Sequence, residues 1–118
     1  MIMFPRNVYA IQHNVTKKIY IGSSNDVTAR YWSHIYQLRS NKHNVEDMQD
    51  DFNRYGENYS LFIIDEIKNY DERHKEYKWI EKYETFIRGK GYNYKDHIFK
   101  KILEKKKLPF KGGLPKQV

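Results

Sequence analysis

Apolar and polar positions alternate twice near the start of the chain, and each alternation stops at turn-forming residues. Residues 8–12 read VYAIQ and residues 18–22 read KIYIG, with the turn-rich HNVTK between them. Both runs predict strands, and the short polar connection predicts a β-hairpin. Period-2 geometry puts Tyr9 and Ile11 on one face of the first strand. In the second, Tyr20 shares a face with Lys18, away from Ile19 and Ile21. Cross-strand packing is the ordinary use of such tyrosines.

From Ser23 the pattern becomes helical. Ser23-Ser24-Asn25-Asp26 is a helix-start cluster, with Asn25 or Asp26 as the N-cap. The predicted helix runs to about Arg39, with an apolar stripe of Tyr31, Ile35 and Leu38 and with Trp32 and Tyr36 beside it. Arg30 and His34 are four residues apart and share the adjoining flank, by default a solvated edge. SNKHN (40–44) reads as a loop carrying His43. A second helix follows from Val45, with Met48, Phe52 and Tyr55 as its stripe and Gly56 closing it. Its carboxylates Glu46, Asp47, Asp50 and Asp51 suit a helix N-terminus and are expected around a solvated face rather than at a metal.

Residues 59–66 (YSLFIIDE) form the most apolar run and predict a central strand, the third of the sheet. Asp71 caps a third helix extending to about Ile87. Its stripe is Tyr77, Ile80, Tyr83 and Ile87, with Glu76 at the edge, one turn before Ile80. Arg88-Gly89-Lys90-Gly91 breaks this helix, and Tyr92-Asn93-Tyr94 follows as an ordered loop or short edge segment. Residues 96–107 read as a basic helix, and a Pro/Gly-rich end follows. The expected fold is α+β, an α/β sandwich with a small, mainly antiparallel three-stranded sheet flanked by helices. Residues 1–95 form its one domain, and residues 96–118 a basic C-terminal helix and tail.

The 118-residue length fits that single domain. Cysteine is absent, which excludes disulfides and thiolate metal sites. No apolar run approaches the ~20 residues that span a bilayer, and MIMFPRNV, without a basic region followed by a long apolar stretch, is not expected to act as a signal peptide. A cytoplasmic protein without membrane attachment is expected. The net charge of +7 is unevenly placed. Residues 100–118 hold seven lysines against one glutamate, a net of +6, leaving +1 for residues 1–99. Such a tail suits phosphate contacts from Lys100, Lys101, Lys105, Lys106 and Lys107. A solvated, solubilising end is the alternative.

Val8-Tyr9 and Tyr20-Ile21-Gly22, on two predicted adjacent strands with the tyrosines eleven residues apart, resemble the GIY-YIG nuclease family. Tyr20-Ile21-Gly22 matches the second signature tripeptide letter for letter. Asn7 stands where the first usually has glycine, which avoids a side chain beside the cleft; family members vary at this letter, so asparagine is either tolerated there or narrows access. Arg30 falls on the family's helix arginine, and His34 on a histidine one turn later. EYKWIEKY resembles the helix that bears the metal-binding glutamate, here Glu76. Asn93 in GYNY fits the asparagine that follows. The resemblance covers roughly residues 7–95 and points to the catalytic domains of phage-type homing endonucleases and related restriction enzymes.

Residue chemistry agrees with it. Arg30 offers a permanently charged donor fork for phosphate oxygens. Glu76 is a hard oxygen ligand suited to Mg²⁺ or Mn²⁺, which accept one carboxylate together with waters and substrate phosphate. The resemblance implies one ion per site and Tyr9 as general base. A free phenol titrates near 10, so Tyr9 is expected to need depression by Arg30, a lysine or the ion. Lys18 is a candidate for that, and His43 is a further candidate from the loop. Tyr20 and His34 would position water or phosphate, and Asn93 would brace the metal side. The expected activity is metal-dependent endonucleolytic hydrolysis of DNA by a monomer or homodimer. The alternatives are an inactive nucleic-acid-binding module of the same fold and an unrelated α/β domain whose tyrosines are structural.

Overall fold

The computed structural model describes residues 3–95, so the expected basic helix and the five tail lysines lie outside the described residues. Strands β1 (Arg6–His13) and β2 (Ile19–Ser24) form the hairpin. Helices α1 (Val27–Arg39) and α2 (Glu46–Tyr55) follow, then β3 (Tyr59–Ile67), a 3₁₀ turn (Tyr70–Glu72) and α3 (Lys75–Tyr83). The sheet is antiparallel in the order β2-β1-β3. It is the expected three-stranded α+β architecture.

Period 2 in β1 divides the core. Tyr9 and Ile11 pack with Val27, Ile35 and Leu38 of α1 and with Met48 of α2. Val8 and Ala10 point the other way, joining Ile21, Ile67 and Ile80 of α3. Partners across the β1–β2 ladder share a face, so Tyr9 stands beside Gly22 and Val8 beside Ser23. A β-carbon on Gly22 would lie 2.6 Å from the Tyr9 hydroxyl oxygen and 2.7 Å from Cζ. Glycine is therefore what leaves room for the tyrosine ring. Asn7 is half-buried and paired in both ladders, with Ser24 and Glu66.

Four expectations change. Among the described residues β3 is an edge strand, not a central one, since it pairs there only with β1. Its Phe62 and Ile63 remain 48% and 61% exposed, so the apolarity of this run does not report double-sided burial. Asp71 caps nothing; the side chain of Asn69 accepts from the Asp71 amide and starts the 3₁₀ turn. α3 ends at Tyr83, where Glu84 adopts a left-handed conformation, four residues short of Ile87. Asp51 leaves the solvated face of α2. Its buried carboxylate accepts from Tyr92 Oη at 2.7 Å and lies 3.7 Å from Lys18 Nζ. Asp26, by contrast, is the N-cap of α1, accepting from the Ala29 amide at 3.1 Å.

Candidate active site

The ordinary fate of a histidine on the flank of an amphipathic helix is solvent, yet His34 is buried. Its position explains this. α1 lies across the face of the hairpin that carries Tyr9 and Tyr20, and His34 fills the space above both rings. His34 Nε2 is 3.2 Å from Tyr9 Oη, and the His34 and Tyr20 ring centroids are 4.8 Å apart. His34 Nδ1 is 2.8 Å from Nε2 of His43, which is also buried. The loop histidine is thus part of the cluster.

One amide sets the direction of this chain. Val45 N–H donates to His43 Nδ1 at 3.0 Å. An amide N–H cannot accept, so His43 Nδ1 carries no proton and its Nε2–H donates to His34 Nδ1. His34 Nε2–H must then donate to the Tyr9 oxygen. The phenol proton of Tyr9 is left to point elsewhere.

The electrostatics fit neutral groups throughout. Burial, assisted by His43 and Arg30, brings His34 down to about 3. Burial and then the charge of Arg30 bring His43 down to about 4. Burial, with Tyr20 next, pushes the Tyr9 phenol well above its usual 10, and Arg30 only partly offsets this. Burial raises Tyr20 likewise, against the pull of Arg30. Arg30 pulls both phenols downward, but burial outweighs it, so the depression of Tyr9 expected from the sequence is not reached by the protein's own groups. Lys18 is instead placed against Asp51 and is not among the groups acting on Tyr9.

Tyr20, Arg30, His34, Lys42, Asn93 and Lys95 line a cleft of about 510 Å³. Asn93 is buried, and its side chain serves the backbone of β2. Its Oδ1 accepts from Ile21 N at 2.7 Å and from Thr85 Oγ1 at 2.9 Å, and its Nδ2 donates to Ile21 O at 2.9 Å. Asn93 therefore holds the strand between Tyr20 and Gly22 in place.

Glu76 approaches from the opposite face of the sheet. Ser23 Oγ donates to its Oε1 at 2.6 Å, and Arg6 Nη2 in turn donates to Ser23 O at 2.8 Å. Neighbours His74, Lys75 and Lys78 form no ion pair with it; Lys75 bonds Glu72 and the Glu66 carbonyl. Half-buried at the rim of a cavity, Glu76 is close enough to act on both Tyr9 and Tyr20. Among the described residues no group of three or more His, Cys, Asp or Glu could enclose a metal. The donor set fits an ion that takes one protein carboxylate and completes its shell with water and phosphate.

Sequence reasoning missed Ser23 and Arg6. Strand parity carries the signal for Ser23, since the residue after Gly22 must face α3. Arg6 had no such signal.

Comparison with known proteins agrees with this geometry. The sequence pattern of the GIY-YIG catalytic domain matches residues 6–93. Intron-associated endonuclease 1 of Enterobacteria phage T4 is 29% identical over 94 residues, which are 78% of this chain and 38% of that protein. The chain thus spans less than half the length of that relative. Among solved structures, the catalytic domain of intron endonuclease I-TevI, in a single-substitution mutant, superposes with a TM-score of 0.69 at 27% identity. That match covers 79% of this chain and 96% of the other. A second structure of the I-TevI catalytic domain gives 0.65 at 26% identity, covering 74% and 95%. Nucleases of this kind are generally dependent on a divalent metal. On its sequence pattern and its fold, the chain belongs to the GIY-YIG catalytic domain family, a family of endonucleases.

Proposed function

We propose that this domain hydrolyses DNA phosphodiester bonds in a metal-dependent endonuclease reaction. The observation that supports it most is the meeting of Tyr9, Tyr20, Arg30 and His34 on one face of the hairpin, with Glu76 presented from the other. Glu76 would hold one Mg²⁺ or Mn²⁺ through the carboxylate oxygen that Ser23 leaves open. Such an ion supplies positive charge to the phosphate and to the departing 3′ oxygen.

The remaining steps belong to the protein. Arg30, exposed at the cleft mouth, donates to the non-bridging oxygens and stabilises the phosphorane as charge accumulates there. Tyr9 rests as a neutral phenol. To act as general base it must first pass its hydroxyl proton to a solvent water, a loss that burial opposes and Arg30 favours. The His34 Nε2–H then stabilises the phenolate oxygen, which takes a proton from the attacking water. His43 keeps His34 in the one tautomer able to donate, so it is a positioning residue. Tyr20 walls the cleft beside His34 and orients water or phosphate. Lys42 and Lys95 extend the basic lining for the flanking backbone, as the tail lysines would beyond it. One such site cuts one strand per event.

The test uses supercoiled plasmid with Mg²⁺ or Mn²⁺, beside an EDTA control and Glu76→Ala. Nicking or linearisation by the native chain, lost in both controls while Glu76→Ala still binds the plasmid, is the expected result. A folded chain that binds plasmid and leaves it intact with either ion would overturn hydrolysis in favour of a binding module.

A further inference from the structure

We propose that the cavity beside Glu76 is a second phosphate subsite, built by Arg6 and Arg73. It would take a DNA backbone phosphodiester neighbouring the one held at Arg30. The inference rests on the nuclease reading for its ligand but not for its geometry.

The cavity measures about 360 Å³, within the range of small-ligand sites, and Arg6, Ser23, Arg73, Glu76 and Tyr77 are among its lining residues. The two arginines are fixed without being neutralised. Arg6 donates from Nη2 to Ser23 O at 2.8 Å, from Nε to Ser23 Oγ at 3.4 Å and from Nη1 to Met3 O at 3.5 Å. All three acceptors are uncharged. Arg73 donates to Tyr70 O at 3.1 Å, and its guanidinium lies 3.6 Å from the Tyr70 ring centroid. Among the described residues neither has a carboxylate oxygen within 4.0 Å, whereas Arg39 and Arg88 are both paired with acids. A guanidinium has five N–H donors, so each arginine keeps donors and a full charge to offer.

Two preset guanidinium groups at one concave site suit a phosphate, whose oxygens accept in the planar fork geometry that arginine presents. The link to Glu76 gives the subsite its meaning. Arg6 and Glu76 are joined through Ser23 alone, by contacts of 3.4 and 2.6 Å to its hydroxyl. Arg30 lies on the hairpin face covered by α1 and Arg6 on the face covered by α3, so a strand bound beside Glu76 and reaching both would be held from two sides. Contacts on both sides fix the register of the strand without reading bases.

The test is binding, not cleavage. Fluorescein-labelled duplex DNA is titrated with the full chain in EDTA across a salt series, followed by anisotropy. Arg73→Gln is the main variant, because Arg73 is exposed and its loss leaves Ser23 and Glu76 untouched. Arg6→Gln is the companion, and Arg54→Gln, an exposed arginine of α2, is the control. Arg73→Gln and Arg6→Gln should each reduce the slope of log K against log salt by about 0.9, one phosphate contact apiece, while Arg54→Gln leaves it unchanged. An unchanged slope in Arg73→Gln, or an equal fall in Arg54→Gln, overturns the subsite. The two readings separate cleanly. Intact plasmid together with a reduced slope removes hydrolysis and keeps the subsite, while cleavage with an unchanged slope removes the subsite alone.

Discussion

His43 offers a direct way to test the hydrogen-bond chain that ends on Tyr9, through its effect on acid stability. Its Nδ1 accepts from the Val45 amide and its Nε2–H faces His34, so a second proton would set one N–H against another. Burial and Arg30 accordingly hold it at about 4 in the folded protein, against an ordinary 6.5. The unfolded chain therefore binds a proton here at pH values where the folded chain does not. This part of the stability is complete above pH 6.5 and is lost as the pH falls toward 4. With 1.36 kcal/mol per pH unit, the loss between pH 7 and pH 5 is about 2 kcal/mol. His43→Gln keeps an acceptor and a donor in place while removing the titration. Urea unfolding followed by tryptophan fluorescence at pH 7, 6 and 5 should show the native chain losing about 2 kcal/mol more than the variant. His13 is also lowered but remains in both proteins and cancels, whereas His34 is itself lowered partly by His43, so the difference reports the coupled His34–His43 pair. Parallel pH dependences for the two proteins would refute the chain of tautomers.

Three further substitutions probe the parts that hold the site. Gly22→Ala places a β-carbon against the Tyr9 ring and should cost about 1–3 kcal/mol by overpacking. It should also reduce plasmid cleavage at least about tenfold, since Tyr9 then moves from His34 at 1.4 kcal/mol per decade; circular dichroism checks that the fold persists. Asn93→Ala leaves the Ile21 amide and carbonyl without their side-chain partners, at about 1–3 kcal/mol for each group, and hydrogen exchange at the Ile21 amide should accelerate. Ser23→Ala releases Glu76 Oε1 and should weaken Mn²⁺ binding by about 10- to 100-fold in a calorimetric titration, as loss of a ligand-orienting partner does. Unchanged Mn²⁺ affinity would show that Ser23 does not orient the carboxylate.

Most of the architecture was legible because it rests on short-range signals. The alternation around Tyr9 and Tyr20, the Asp26 cap and the Ile35–Leu38 stripe each dictate an element within a few residues. The third helix ends before its stripe does, because the stripe continues to Ile87 while the backbone turns left-handed at Glu84, a tertiary choice with no local marker. β3 was misplaced for a related reason. Apolar residues in it predict a strand, but whether a strand is central depends on how many partners it finds. In the site, the resemblance to the family, with which the residue chemistry agrees, pointed to Tyr9, Arg30, His34 and Glu76 as candidates. What they could not give was state: that His34 is enclosed, that Tyr9 rests as a phenol, or that Asn93 serves Ile21. Those follow from packing between elements distant in sequence.

The division of the site between two faces of one hairpin makes the β1–β2 register its determining variable. Tyr9 reaches Arg30 and His34 only because its partner is Gly22, and Ser23 reaches Glu76 only because its partner is Val8. A slip of one residue would exchange the faces of β2 against β1. Tyr9 would lose the gap at Gly22, and the Ser23 hydroxyl would turn toward α1, away from Glu76. The turn before β2 and the outer edge of β2 carry devices against such a slip. At the turn, His13 N donates to Lys18 O at 3.0 Å and Lys17 N to His13 O at 2.9 Å, with Lys17 left-handed at φ 67°. The buried His13 ring fixes the same turn, its Nδ1 accepting from the Val15 and Thr16 amides at 3.1 and 3.2 Å. Along the outer edge, Tyr92 N donates to Ile19 O at 2.9 Å, and Asn93 bonds both backbone groups of Ile21. Buried polar groups at the turn and along the edge thus have a common purpose. They hold in one register the strand that presents Tyr20 and Gly22 to one half of the site and Ser23 to the other.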